Sequence, residues 1–119
     1  MNTFTEQAIK VIVSVPAGCV LTYGQVARLA GSPRAARQVG WLLNSMSDKY
    51  RMPWHRIINS KGQISLRDPE GAFIQKMLLE SEGISVIDHK IDLKKYMWHV
   101  PFIDFDQVDL KAHETSKQD

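Results

Sequence analysis

The feature that most constrains this fold is a pair of helix signals placed almost end to end. Thr22 and Gln25 are spaced as a capping box, which opens a short helix, "YGQVARLA", and Gly31 ends that helix. Ser32 can cap a second helix that begins at Pro33 and reads "PRAARQVGWLLNS". Two helices with so short a joint predict a helix-turn-helix.

The second of these helices has two different faces. One face carries polar or aromatic residues at i, i+3, i+4 and i+7, namely Arg34, Arg37, Gln38 and Trp41. The other carries small and apolar residues, namely Ala36, Val39, Gly40 and Leu43. We expect the second face to pack and the first to present arginines. This geometry favours docking into a DNA groove, whereas an ordinary solvated surface helix is the alternative reading of the same pattern.

Two more helices are predicted on either side of this unit. The first begins near Thr3, where Thr3 and Glu6 fit a capping box, and ends at Pro16. Its apolar stripe is Phe4, Ala8, Val11, Ile12 and Val15. The last long helix begins at Pro69, is capped by Asp68 and ends at Gly83. Its apolar stripe is predicted to include Phe73, Met77 and Leu78, with Ile74 as an extension.

The strands are expected between and after these helices. After a polar linker, "SMSDKYRM", the segment "WHRIINS" is predicted to form a hairpin with "QISL" through a turn at Lys61 and Gly62. The segment "ISVID" is a further candidate strand, and "YMWHVP" is expected to pack back on the body. The predicted fold class is α+β and mostly helical: a winged-helix-like DNA-binding domain with a helix-turn-helix and a short β-hairpin.

The charge divides the chain into a basic body and an acidic end. From Asp104 onward five acidic residues face two lysines, which gives −3, and the preceding residues carry 13 basic and 8 acidic groups, or +5. We predict one domain over residues 1–106 and an acidic, disordered tail over residues 107–119. A basic body is compatible with an anionic partner such as nucleic acid, and a solvated surface of mixed charge explains it equally well.

Several other classes of protein have little support in the sequence. No apolar run reaches the roughly 18 residues of a membrane span, and "MNTFTEQAIK" does not resemble a signal peptide. The single Cys19 excludes an internal disulfide and fits a reducing, cytoplasmic setting. Four scattered histidines and one cysteine suggest no zinc cluster, and no phosphate-binding glycine loop or Gly-x-Ser-x-Gly is present. We therefore expect no metal and no cofactor.

Three segments in a fixed order resemble a known family. They are "TYGQVARLAG", "SPRAARQVG" and "PWHRII", and the likeness extends through "LLESEG" to about residue 83. The region is similar to the DNA-binding and active-site domain of O6-alkylguanine-DNA alkyltransferases, which carry a tyrosine at a helix start, "P-x-A-A-R-x-V-G" in a recognition helix and "P-C-H-R-V". The recognition helix and the "P-x-H-R" core are specific in combination, while either alone is weak.

One departure from that pattern decides what the resemblance implies. Trp54 stands where the alkyltransferases have the cysteine that accepts the alkyl group. The transfer needs a thiolate, and an indole N–H is a donor without an available nucleophilic lone pair. Cys19 lies before the first motif and does not match the nucleophile position. With tryptophan in that slot, the chain resembles the alkyltransferase-like proteins, which bind alkylated guanine without repairing it.

The resemblance also implies a role for individual residues. It assigns nucleotide flipping to Tyr23, which pushes the target phosphate, and to Arg37, which fills the gap left by the flipped base. Phosphate contacts are expected from Arg34 and the N–H groups near Ser32. The full DNA-binding surface is predicted as Ser32, Arg34, Ala36, Arg37, Gln38 and Trp41. The lesion pocket is predicted as Trp54, His55, Arg67, Tyr23 and Glu82, with His55 and Glu82 retained as a buried hydrogen-bonded pair.

The function implied is that of a non-enzymatic DNA damage sensor. It binds and flips O6-alkylguanine in duplex DNA, leaves the alkyl group in place and flags the lesion for nucleotide excision repair proteins. We expect a monomer in the cytoplasm, near the nucleoid of a bacterium, or in the nucleus of a eukaryote. Two alternatives remain at this point: a helix-turn-helix transcription regulator, and an alkyltransferase that uses another nucleophile.

Overall fold

The computed structural model describes residues 2–64, 66 and 68–115. Within them, six α-helices and two short strands follow one another in chain order, and two 3-10 turns lie at Trp54–Arg56 and Phe105–Gln107. The elements are α1 (Thr3–Ser14), β1 (Leu21–Thr22), α2 (Tyr23–Leu29), α3 (Ala36–Tyr50), β2 (Ile57–Ile58), α4 (Pro69–Ser81), α5 (Leu93–Tyr96) and α6 (Leu110–His113). No helix in this part of the chain is long and apolar enough to cross a membrane.

Helix α1 supplies the centre of the core. It begins at Thr3 as predicted, but its cap is Asn2, whose side-chain oxygen accepts a hydrogen bond from the Thr5 N–H at 2.7 Å. The predicted Thr3 capping box is therefore wrong by one residue, because the short Asn2 side chain already reaches that amide. The predicted stripe is confirmed at Ala8, Val11, Ile12 and Val15, which are all buried, while Phe4 is partly buried.

The predicted helix-turn-helix is present as α2 and α3. The capping box at Thr22 and Gln25 is confirmed, and Gly31, with φ +94°, ends α2 in the left-handed conformation that favours glycine. Helix α3, however, begins at Ala36 rather than at Pro33. Ser32 does not cap it, because its carbonyl accepts from the Ala35 N–H at 3.0 Å and holds the intervening residues in a turn.

Helix α3 also extends further than predicted. It runs through most of the segment read as a linker and ends at Tyr50, followed by Arg51 in a left-handed conformation with φ +50°. The physical reason is that buried apolar side chains continue at helical spacing, with Leu42 and Tyr50 in the core and Met46 packed against it.

The small sheet is parallel, so the predicted hairpin is wrong. Strand β2 pairs with β1 in the register Leu21–Ile57 and Thr22–Ile58, and Met97 forms a bridge to Val20 on the other side of β1. Both residues of β2 are buried, which suits an inner strand between packed layers and not an exposed wing. The turn before β2, Trp54–Arg56, is a 3-10 helix where a strand was expected.

The predicted partners of that hairpin pair elsewhere. Gln63 forms an antiparallel bridge with Lys90, and the Ile64 N–H donates to the His89 carbonyl at 2.8 Å. The candidate strand "ISVID" is not a strand, since only Ile87 forms a bridge, to Lys90 across a tight turn. The expectation that "YMWHVP" packs back on the body is confirmed, with Met97 and Trp98 against the core.

Helix α4 has the predicted start and the wrong predicted face. Asp68 caps it and Pro69 occupies its first turn, as expected. The predicted stripe is largely exposed: Phe73 by 56%, Ile74 by 41%, Met77 by 54% and Leu78 by 37%. The face that points inward instead carries Ala72, Gln75 and Leu79, because Gln75 hydrogen bonds to backbone carbonyls beneath the helix.

The C-terminal segment was expected to be disordered from residue 107, and residues 107–115 are instead packed on the domain. Leu110 is buried in the main core cluster. Arg51 donates from Nη2 to the Ala112 carbonyl at 2.9 Å and from Nε to the His113 carbonyl at 3.1 Å. The sequence composition did not reveal this packing, because the segment is held by two apolar side chains, Leu110 and the partly buried Val108, and by hydrogen bonds with distant residues such as Arg51 and Lys49.

Candidate nucleic-acid interface

The exposed face of α3 is the one predicted from its spacing. Arg37, Gln38 and Trp41 are exposed, Trp41 by 72%, while Val39 and Leu42 are buried on the opposite side. Arg34 is also exposed but lies in the turn before the helix. The helix therefore presents one cation and two hydrogen-bonding side chains outward, and a second cation beside its N-terminal end.

The start of α3 differs from the predicted phosphate contact at Ser32. The Ser32 N–H donates to the Ala27 carbonyl at 2.9 Å, so it is already used within the protein. Helix α3 begins at Ala36 without a side-chain cap, which leaves the N–H groups of its own first turn for other acceptors. The amides available to an anion are therefore those of residues 36–38.

A cavity of about 470 Å³ lies beside this helix. Tyr23 and Trp54 both line it, as predicted, although they are 31 positions apart in the chain. Residues of α3, including Asn44 and Asp48, form another wall, and Gly71 and Gln75 of α4 complete it. Its volume is in the range of about 300–1,000 Å³ typical of small-molecule pockets, so a flipped base is a reasonable occupant.

Tyr23 reaches the cavity as the first residue of α2, directly after β1. Burial raises the pKa of its phenol, so the hydroxyl stays protonated at neutral pH and remains a hydrogen-bond donor. Gly40 of α3 lies next to the ring, since a Cβ there would be 3.8 Å from Tyr23 Cε1. The tyrosine ring and α3 are therefore in van der Waals range of each other at Gly40.

Trp54 forms the opposite wall from the 3-10 turn before β2. Its ring meets the His55 ring edge to face, with centroids 6.3 Å apart and planes at 88°. Cys19 is half-buried between α1 and β1 and does not line the cavity. The side chain at the predicted nucleophile position is therefore an aromatic surface without a nucleophilic atom.

His55 and Glu82 form the predicted pair, behind the cavity rather than in its lining. His55 Nε2 lies 2.7 Å from Glu82 Oε2. Sequence reasoning missed Arg56, which donates from Nη2 to Glu82 Oε2 at 2.7 Å and from Nε to Oε1 at 3.0 Å. The sequence showed Arg56 as part of the "P-x-H-R" core, but it did not show that Glu82 is the partner of this arginine.

Glu82 connects three parts of the chain. Besides His55 and Arg56 it accepts a hydrogen bond from the Gly18 N–H at 3.0 Å, and Arg56 also donates to the Val15 carbonyl at 2.8 Å. Burial raises the pKa of Glu82, but the hydrogen bonds from Arg56, His55 and Gly18 outweigh it and lower the pKa to about 2. The carboxylate is therefore ionised at neutral pH, and His55 Nε2 is the donor in their contact.

Arg67 lies outside the described residues, and its neighbours Leu66 and Asp68 both line the cavity. In the part of the chain that is described, no three His, Cys, Asp or Glu side chains converge in a way that could hold a metal ion.

Sequence reasoning also missed Gln75. It is buried, and its Nε2 donates to the His55 carbonyl at 3.1 Å and the Ile57 carbonyl at 3.2 Å. A clue existed in the spacing, since Gln75 shares a helix face with Ala72 and Leu79. The sequence alone does not show that this face of α4 is the buried one, so the importance of Gln75 is recognisable only in the structure.

Comparison with known proteins gives consistent matches. A family model described as "6-O-methylguanine DNA methyltransferase, DNA binding domain" matches residues 3–84. A DNA base-flipping protein of Escherichia coli (strain K12) is 42% identical over 99 residues, which cover 82% of this chain and 76% of that protein. Alkyltransferase-like protein 1 of Schizosaccharomyces pombe is 39% identical over 104 residues, covering 82% of this chain and 96% of that protein.

Solved structures agree with these sequence matches. S. pombe Atl1 in complex with damaged DNA containing O6-carboxymethylguanine superposes with a TM-score of 0.76 at 39% identity, covering 84% of this chain and 98% of that chain. Mycobacterium tuberculosis OGT in complex with DNA has a TM-score of 0.61 at 29% identity, covering 70% of this chain and 50% of that chain. The chain therefore belongs to the O6-methylguanine-DNA methyltransferase family, as an alkyltransferase-like member with Trp54 at the position of the acceptor cysteine.

Proposed function

We propose that this protein is a non-enzymatic sensor of O6-alkylguanine in duplex DNA. The observation that carries the proposal is the cavity shared by Tyr23 and Trp54, which has an aromatic wall where a nucleophile would be required for transfer. A base held there can stack on the indole, an interaction worth about 1–3 kcal/mol per base. Recognition is thus retained, and the alkyl group stays on the base.

The surrounding side chains fit the steps of nucleotide flipping. Arg37 is exposed on α3, where it can enter the base stack and offset part of the few kcal/mol that extrusion costs. Tyr23 can turn the target nucleotide toward the cavity, since its side chain lines the cavity and its ring lies beside Gly40 of α3. Arg34 and the first-turn amides of α3 are placed to hold phosphates.

The matched relatives support the same conclusion. One is described as a DNA base-flipping protein, and another is an alkyltransferase-like protein solved on DNA that contains O6-carboxymethylguanine. More distant relatives, such as that of Rattus norvegicus, are methylated-DNA–protein-cysteine methyltransferases. Methyl transfer to the protein requires a cysteine at the position that Trp54 occupies in this chain. We therefore place the chain with the base-flipping and alkyltransferase-like relatives.

The later steps of the proposed function concern other molecules. A lesion that is bound and left intact needs a downstream repair system, and nucleotide excision repair proteins are the proposed recipients. We propose that the protein acts as a monomer in the compartment that holds the DNA: the cytoplasm of a bacterium, near its nucleoid, or the nucleus of a eukaryote.

Two measurements test the proposal. At fixed salt, binding to a duplex with one O6-methylguanine should be clearly tighter than to the same duplex with guanine, because only the lesion is expected to be retained in the cavity. Equal affinity for the two would instead favour a sequence-reading transcription regulator. After incubation with the lesion duplex, mass spectrometry should find the protein mass unchanged, and a methyl adduct on any residue would refute the non-enzymatic function.

A matched pair of substitutions tests the role of Arg37. Replacing Arg37 by Ala should weaken binding to the lesion duplex by about tenfold or more and reduce the lesion preference, because the gap in the stack is no longer filled. Replacing Arg34 by Ala should weaken binding to both duplexes by a similar factor, because a phosphate contact carries no lesion information. Fluorescence anisotropy on both duplexes measures each effect. An Arg37 variant that loses affinity equally for both would assign Arg37 to the phosphates instead.

A further inference from the structure

A basic surface lies on two segments outside the arginine-bearing helix. It consists of four exposed lysines, Lys61, Lys90, Lys94 and Lys95, which are called the lysine surface below. The fold brings the two segments together, because the Ile91 N–H donates to the Gly62 carbonyl at 2.8 Å and Gln63 forms a bridge with Lys90. Lysines that are up to 34 positions apart in the chain therefore share one surface.

The lysine surface concentrates positive charge. Its four lysines stand beside two acidic residues, Asp88 and Asp92, which leaves a local net charge of +2, and this equals the net charge of the whole chain. The rest of the chain is therefore neutral in sum. Asp92 is also engaged as the cap of α5, where its carboxylate accepts from the Lys94 N–H at 3.0 Å. A surface of this charge suits an anionic partner.

The backbone that carries Lys90 is held in a tight turn. The Ile87 N–H donates to the Lys90 carbonyl at 3.0 Å, and the Lys90 N–H donates back to the Ile87 carbonyl at 2.9 Å. Between them, Asp88 and His89 adopt left-handed conformations with φ +51° and +60°, which residues other than glycine adopt at a cost. The Ile64 N–H also donates to the His89 carbonyl at 2.8 Å, so the turn is fixed against the segment that leads to the cavity.

That segment joins the lysine surface to the cavity wall. The chain continues from Gln63 to Leu66, which lines the cavity, while Arg37 belongs to α3, which lines a different wall. Lys61 and Leu66 are five positions apart, so their Cα atoms lie within about 17 Å of each other. At about 3.4 Å per base pair, this is the length of roughly five base pairs. A duplex with one nucleotide in the cavity thus has backbone phosphates within reach of the lysine surface.

We propose that the lysine surface is a second DNA-contacting surface, which holds backbone phosphates a few base pairs away from the flipped nucleotide. The inference rests on the proposed binding of duplex DNA and extends it from α3 to Lys61 and residues 90–95. Phosphate contacts position a duplex without reading its bases. The lysine surface therefore adds affinity for damaged and undamaged DNA alike, and the selection of the lesion is left to the cavity.

The salt dependence of DNA binding tests this surface. A double variant, Lys61→Gln with Lys90→Gln, removes two charges from it. The slope of log K against log salt concentration should become less steep by about 1.8, because each lost phosphate contact accounts for about 0.9. At about 0.1 M salt the affinity should fall by about tenfold or more, equally for a duplex with O6-methylguanine and the same duplex with guanine. Fluorescence anisotropy from about 50 to 300 mM salt measures both quantities.

A second double variant controls for net charge. Lys49→Gln with Lys111→Gln removes the same charge from two exposed positions near the packed acidic segment, where the Thr115 N–H donates to the Lys49 carbonyl. It should keep the wild-type slope and an affinity within about twofold of wild type. If the two double variants lose slope and affinity to the same extent, only the overall charge matters and the lysine surface is overturned.

Shortened duplexes locate the contact. Two duplexes are cut to about two base pairs on one or the other side of the lesion, so that one of them no longer reaches the lysine surface. On that duplex the wild-type protein and the Lys61→Gln, Lys90→Gln variant should bind equally, and on the other the affinity difference should persist. A difference that persists on both duplexes would mean that the lysines act at the flipped nucleotide itself or through the fold, and would overturn the proposal.

The outcomes separate this inference from the function it rests on. If the Lys61→Gln, Lys90→Gln variant keeps the wild-type slope and affinity while O6-methylguanine is still preferred over guanine, the lysine surface does not bind DNA and lesion sensing stands. If the variant loses the lesion preference without a change of slope, these residues shape the cavity and the proposal is again overturned. If the wild-type protein does not distinguish O6-methylguanine from guanine, lesion sensing fails, and the slopes still decide whether the lysine surface contacts DNA.

Discussion

At the scale of single residues, Trp54 and Glu82 show how binding and stability are separated. Trp54 faces the cavity, while Glu82 lies behind it and joins the 3-10 turn to the loop after α1 through Arg56 and Gly18. Loss of a nucleophile leaves the contacts of Glu82 intact, because none of them runs through the side chain at position 54. The pair His55–Glu82 therefore has a structural role that does not depend on transfer chemistry.

Replacing Glu82 by Gln should destabilise the protein by about 3 kcal/mol at pH 7, because Arg56 is left without a charged partner in a largely buried position. The pKa of Glu82 is lowered from 4.5 to about 2, so its contribution to folding is fully present above pH 4.5 and is lost as the pH falls toward 2. Urea unfolding at pH 7 and pH 3 should show the wild-type and variant stabilities converging at the lower pH.

Glu80→Gln is the control for this prediction. Glu80 lies two residues before Glu82 in the chain, is exposed, and has no ion pair among the described residues. Its unfolding free energy should stay within about 0.5 kcal/mol of wild type. Equal effects of the two substitutions would show that Glu82 does not act through its buried hydrogen bonds.

At the scale of elements, backbone contacts between distant segments replace the expected hairpin. The turn at residues 59–62 packs against residues 89–93, and the Ile91 N–H donates to the Gly62 carbonyl at 2.8 Å. Gly62 has φ +73°, and a Cβ there would lie 2.6 Å from the Ile91 carbonyl oxygen. Glycine is thus required at this position both for its conformation and for the close approach.

Replacing Gly62 by Ala should therefore lower the unfolding free energy by about 1–3 kcal/mol, through backbone strain and displacement of the neighbouring loop. Gly24→Ala is the matched control, because Gly24 lies in α2 and a Cβ there meets nothing within 4 Å. That substitution should be neutral or stabilise by up to about 1 kcal/mol. Urea denaturation compares the two, and a Gly62 variant as stable as wild type would mean that the loop moves away at little cost.

At the scale of the whole molecule, the acidic end of the chain is part of the folded domain as far as residue 115. It packs on α1 and on the C-terminal end of α3: Lys10 Nζ donates to the Phe105 carbonyl at 2.9 Å, and the Thr115 N–H donates to the Lys49 carbonyl at 2.7 Å. The acidic segment thus lies against α1 and the C-terminal end of α3, whereas Arg37, near the N-terminal end of α3, is exposed. The separation of charge in the sequence becomes a separation in space.

Replacing Leu110 by Ala should reduce the unfolding free energy by about 2 kcal/mol, because Leu110 is the residue of α6 that enters the core. Lys111→Ala, on the same helical turn but exposed, should have an effect below about 0.5 kcal/mol. Thermal unfolding of the two variants gives the comparison. If the segment were dispensable, as its composition suggested, Leu110→Ala would match Lys111→Ala.

Features that depend on neighbouring residues in the chain were predictable from the sequence. The capping box at Thr22, the cap at Asp68 and the exposed face of α3 follow from local spacing, and all are confirmed. The family resemblance placed Tyr23 and Trp54 in one pocket, and both line the same cavity. The resemblance also placed Arg67 in this pocket, and that prediction stays a prediction because Arg67 lies outside the described residues.

The features that the sequence did not reveal are those decided by distant partners. Apolar spacing alone could not show which side of α4 is buried, since the inward face is selected by Gln75 and its contacts with carbonyls near β2. Strand pairing failed for the same reason: β2 pairs with β1, which precedes it by 36 positions, rather than with the nearest apolar segment.

The sequence by itself determined the helix-turn-helix, the arginines it presents and the absence of a nucleophile after Pro53. These properties reside in side-chain identity and in spacings of three or four residues, which local physics controls. Only the tertiary structure decided that Arg56 and Gly18 share Glu82, that Gln75 donates to the carbonyls of His55 and Ile57, and that the acidic end is packed as far as residue 115. Those outcomes depend on which distant backbone groups a buried polar side chain can reach, because each must find a partner once water is excluded.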